Sequence, residues 1–101
     1  MITHVVMWKL KDNAEGAGKH ENASKIKAQL EALRLRIGEI GQIEVGVNTV
    51  ESQDAYDVVL VSVFNSAADL KTYQNHPEHI RAADFIGRVR LDRRFVDYES
   101  P

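Results

Sequence analysis

Two stretches of this chain alternate with period two and yet carry apolar residues on both sides of the alternation. In residues 2–11, Ile2, His4, Val6, Trp8 and Leu10 fall on one side, and Val5 and Met7 fall on the other with Thr3, Lys9 and Lys11. In residues 56–65, Val58, Leu60 and Phe64 oppose Val59, Val61 and Val63. Period-two spacing of β-branched and aromatic residues predicts strands. A strand that is apolar on both faces has to be covered on both.

The rest of the chain limits what can do the covering. Its 101 residues suffice for one domain, 1–101, with one core and little material for a deep pocket. Residues 20–38 predict a helix, because Ala23, Ile26, Leu30, Leu33 and Ile37 recur at steps of three and four. Residues 42–50 return to strand, and 51–55 form a polar turn. Ser66 and Asp69 have capping-box spacing ahead of a short helix carrying Leu70 and Tyr73. Pro77 ends that helix near His76 and suits the first position of a second one, 77–87, with Ile80, Ala83 and Ile86 inward. Residues 88–98 predict the last strand, with Arg93, Phe95 and Asp97 on one side. Residues 12–19, with two glycines and no periodicity, read as a loop.

The order β-α-β-β-α(α)-β is the ferredoxin-like pattern, an α+β fold with a four-stranded antiparallel sheet and helices on one face. One set of helices covers one apolar face. The other calls for a partner, and a copy of the same chain is the economical one. The chain has no cysteine, so disulfides and thiolate metal sites are not available to staple it. A homodimer is therefore expected.

Composition excludes several classes. A 44% hydrophobic and 28% charged chain is an ordinary globular mixture, not a disordered one. The apolar runs are far shorter than the ~20 residues of a membrane span. With 13 basic and 15 acidic residues, the chain lacks the basic surplus of a nucleic-acid binder. The opening MITHVVMWKL does not have the layout of a signal peptide, so a cytoplasmic location is the expectation. The local run RVRLDRR at 88–94 reads either as a solvated strand or as a contact for an anion or carboxylate.

Chemistry-bearing residues concentrate in Tyr73-Gln-Asn-His76-Pro77-Glu-His79, at a helix break. In the first turn of a helix starting at Pro77, His79 would be held neutral by the positive end of the helix dipole. A neutral imidazole can accept a proton, and Tyr73 can hydrogen-bond a developing oxyanion. On residue type alone, capping and core roles are the commoner ones for such residues, and for His4 on its apolar strand side. His20 reads as surface. His76 and His79, with Glu78 between them, do not reproduce a zinc spacing, and no acidic loop or phosphate-binding glycine loop occurs. No metal and no cofactor are expected.

The segments IxHVVxWKLKD at 2–12, FxSxxxLxxYxxHPxH at 64–79 and the terminal FVDYES together resemble the stress-responsive A/B barrel (Dabb) family, over essentially the whole chain. The resemblance implies a homodimeric α/β barrel. Many members have no known activity. A plant branch closes linear polyketides by aldol condensation without a cofactor, and the tyrosine and second histidine of its YxxHPxH segment are catalytic. Tyr73 and His79 match those positions. His4 and Asp97 match a first-strand histidine and a last-strand aspartate that line that site. Two departures stand out: the helix 20–38 has no aromatic residue to offer a pocket, and Arg93 lies on the Asp97 side. The expected site therefore has His79 as base, Tyr73 as hydrogen-bond partner, Asp97 orienting an imidazole, and His4, Trp8 and His76 around a small carbonyl ligand. The alternatives are a non-enzymatic stress-response or ligand-binding dimer, and an oxygenase or isomerase of the wider dimeric barrel group.

Overall fold

A computed structural model describes residues 1–101. The strands are β1 (Ile2–Leu10), a short hairpin of β2 (Asn13–Ala14) and β3 (Ala17–Gly18), β4 (Ile40–Val47), β5 (Val58–Phe64) and β6 (Arg90–Glu99); the helices are α1 (Lys19–Ala32), α2 (Ala67–Asn75) and α3 (Pro77–Val89). The main sheet runs β4-β5-β1-β6, antiparallel throughout.

Register fixes which parity faces the helices. His4, Val6 and Trp8 stand opposite Asp97, Phe95 and Arg93 on one side and Ser62, Leu60 and Val58 on the other. Of these, His4, Val6, Trp8, Val58, Leu60 and Ser62 are buried beneath the helices. The opposite face carries Val5, Met7, Val59, Val61, Val63 and Val96, with Met7 39% and Val96 53% exposed. The sheet is thus apolar on both faces, and its helices cover one.

Helix α1 buries Ala23, Ile26 and Leu30 as its spacing predicts. It ends before the predicted position 38: Leu33–Leu35 tighten into a 3-10 turn, and the Ile37 N–H donates to the Leu33 carbonyl at 2.9 Å. Leu33 and Ile37 stay buried regardless. The Glu31 carboxylate accepts from the Val45 N–H at 3.2 Å and from Lys27 at 3.0 Å, which ties α1 to the edge strand β4.

Three other expectations need correction. The predicted loop at 12–19 contains the β2–β3 hairpin. Glu15 and Gly16 both have positive φ, 50° and 74°, the requirement of a two-residue primed turn. Asn22, fully buried, donates to the Ala14 and Ala17 carbonyls at 3.0 and 3.4 Å and locks the hairpin to α1. In α3 the buried stripe is Ala82, Ile86 and Val89, so Ile80 lies 55% exposed and Ala83 is exposed as well. That same stripe extends α3 through Val89, and the last strand begins at Arg90 rather than at 88. No helix is long and apolar enough to cross a membrane.

Candidate functional site

The site begins at the break between α2 and α3. The Ser66 hydroxyl caps α2 by accepting from the Asp69 N–H at 3.1 Å. His76, the residue before Pro77, is extended (φ −68°, ψ 136°) as proline demands. Its Nδ1 accepts from the Glu78 N–H at 3.1 Å, so it caps α3. It is absent from the cavity wall described below, which corrects its expected place around the ligand.

His79 follows in the first turn of α3. Its Nδ1–H donates to the Gln74 carbonyl at 3.0 Å, which leaves Nε2 as the basic nitrogen of the neutral ring. Burial lowers its pKa below the ordinary 6.5; the Gln74 carbonyl opposes this in part, and His4, Arg93 and His76 add to it.

Tyr73, like Phe64, is 0% exposed. Its ring centroid lies 4.5 Å from His79, 4.9 Å from Phe64 and 6.5 Å from His4. Its hydroxyl has no partner within the chain, and burial raises its pKa. Tyr73 supports the two imidazoles from behind and does not line the cavity.

His4 enters from the sheet, 2% exposed. Its Nδ1 is held by a short contact to the Asp97 carboxylate, directly across the β1–β6 pairing. A carboxylate on Nδ1 fixes the tautomer and leaves Nε2 free to accept. The expected Asp97–imidazole contact is therefore made to His4.

These elements enclose a cavity of about 280 Å³ between sheet and helices, with His4, Trp8 and Leu60 from the sheet side and His79, Ala83 and Ile86 from α3. Arg90 and Arg93 also line it. Both belong to the basic run 88–94 of the sequence, and the register places Arg93 on the same face as Asp97, toward the helices. Arg93 is half-buried, with its guanidinium 4.5 Å from the Phe95 ring centroid. The other arginines of the run face elsewhere: Arg88 pairs with Glu15 and Asp84, and Arg94 pairs with Asp92.

A four-stranded antiparallel sheet with helices on one face and an unpaired apolar face on the other defines a ferredoxin-like α+β chain. Residues 2–100 match the model of the stress responsive A/B barrel domain, and the chain belongs to that family. It is similar to a dimeric ferredoxin-like protein of unknown function from Bacteroides fragilis, with 32% identity, coverage of 98% of this chain and 95% of that one, and a TM-score of 0.84. A dimeric ferredoxin-like protein of unknown function from Thermobifida fusca is 22% identical, with 96% and 88% covered and a TM-score of 0.82. Hydroxynitrile lyase from Passiflora edulis is 17% identical, with 96% and 90% covered and a TM-score of 0.79. At these last two identities the likeness is one of fold. No curated protein matches the chain in sequence.

Proposed function

We propose that the chain works as a homodimer, whose helix-side cavity binds a small carbonyl compound and moves an acidic α-proton without a cofactor. One observation carries the chemistry: two imidazoles share one cavity, each with Nδ1 tethered and neither Nε2 bonded within the chain. In this reading His79 Nε2 takes the α-proton, and the C–H electron pair moves into the carbonyl as an enolate. The imidazolium then returns a proton to carbon or oxygen. His4, its ring fixed by Asp97, presents its own Nε2 on the same wall as a second proton acceptor. Low pKa at His79 keeps it neutral, and so basic, at neutral pH.

The test is exchange of the α-protons of a 1,3-dicarbonyl compound in D2O, followed by NMR with a chelator present. Exchange above the buffer rate, reduced ~10²–10⁴-fold in His79→Ala, is the expected result. Equal rates for the two proteins would remove His79 as the base.

One observation favours the second reading, a non-enzymatic ligand-binding dimer. Tyr73 lies wholly within the core, where a tyrosine serves packing. That reading predicts ligand binding with no exchange in any variant.

A further inference from the structure

We propose that the compound this cavity accepts carries a carboxylate, and that Arg93 selects it. The inference rests on the cavity being a ligand site, as proposed above, and adds the class of ligand.

The charge around the cavity is one-sided. Its wall contains Arg90, Arg93, His4 and His79 and no acidic residue. Arg36, Arg81, Arg88 and Arg94 each pair with a carboxylate, whereas Arg34, Arg90 and Arg93 do not, and of these three Arg90 and Arg93 line the cavity. The acid on the same strand face, Asp97, is committed to His4, and Phe95 stands between it and Arg93 along β6.

Arg93 is also held in place. Its stem rises from β6 opposite Trp8, and its guanidinium rests against the Phe95 ring. A planar fork fixed in this way matches a carboxylate bidentately. Beside Trp8, Leu60 and Ile86, attraction to an anion is stronger than in open water. Asp97 acts on Arg93 only at a distance and forms no ion pair with it; a half-buried cation without a paired carboxylate is costly, and an anionic ligand relieves that cost. The cavity, about 280 Å³, is modest and suits a short-chain ligand. A short β-keto acid fits both requirements: an anionic end for Arg93, and an acidic α-carbon for the imidazoles on the same wall.

Trp8 is the chain's single tryptophan and lines the cavity, so its fluorescence reports occupancy. Titration with acetoacetate and with its uncharged methyl ester tests the inference. Acetoacetate is expected to bind roughly ten-fold tighter or better. Arg93→Gln should remove that preference, so that acetoacetate and the ester bind that variant alike, and Arg93→Lys should keep part of it. Equal affinity of wild-type protein for the two probes, or no response to either at millimolar concentration, overturns the inference. The two readings also fail separately. Arg93-dependent preference for acetoacetate without proton exchange removes the acid/base reading alone. Exchange of the ester without anion preference removes the carboxylate inference alone.

Discussion

At the scale of single residues, the two tethered imidazoles make different demands. Burial lowers the His79 pKa below 6.5, so the folded protein binds fewer protons than the unfolded chain as pH falls through that value. Stability is then full above about pH 6.5 and declines toward the folded pKa, where it levels. Thermal melts from about pH 7.5 to about pH 5 should show this decline, and His79→Gln should flatten it. A His79→Gln protein with an unchanged slope would assign the effect to other groups. Tyr73 tests a subtler point. Its hydroxyl is buried and unpartnered, so Tyr73→Phe should leave stability unchanged or slightly raised. Tyr73→Ala should cost about 3–5 kcal/mol by opening a cavity. Denaturant unfolding of both variants distinguishes the hydroxyl from the ring. The YxxHPxH segment and the family resemblance point to these side chains, and the register sets His4 directly across from Asp97. The sequence does not show that Asp97 holds His4 or that Tyr73 lies behind the imidazoles. Those facts depend on register between strands 93 residues apart, which no local pattern encodes.

At the scale of elements, the α2–α3 break sets the direction of His79. His76 acts there as a cap through its ring nitrogen. His76→Ala should lower stability by about 0.5–2 kcal/mol and leave proton exchange near wild type; a loss of exchange with stability intact would return His76 to the site. Helix and strand identities were legible because their periodicities are clean. Boundaries were less so. The stripe of Ala82, Ile86 and Val89 sets the phase of α3, whereas Ile80 suggested another phase because its isoleucine looks equally apolar. The β2–β3 hairpin is not legible in the sequence because Glu-Gly is a weak turn signal and its two-residue strands are too short to alternate.

At the scale of the whole molecule, the two-faced sheet assigns two tasks. The helix side holds the cavity. The other side has an apolar centre of Val5, Val61 and Val96 in register, with a polar margin where Asp92 accepts from Tyr56 at 2.6 Å and from Arg94 at 2.9 Å. Apolar centre and polar rim are the anatomy of a protein interface. Val61→Asp places an unpaired charge at that centre and should weaken self-association by roughly 10²-fold or more, as read by sedimentation equilibrium. The claim that one apolar face serves a second copy, freeing the other for a ligand, is tested most directly by the mass of the protein in solution. Light scattering should give twice the chain mass of 11.4 kDa at micromolar concentration; a mass of 11.4 kDa would contradict it.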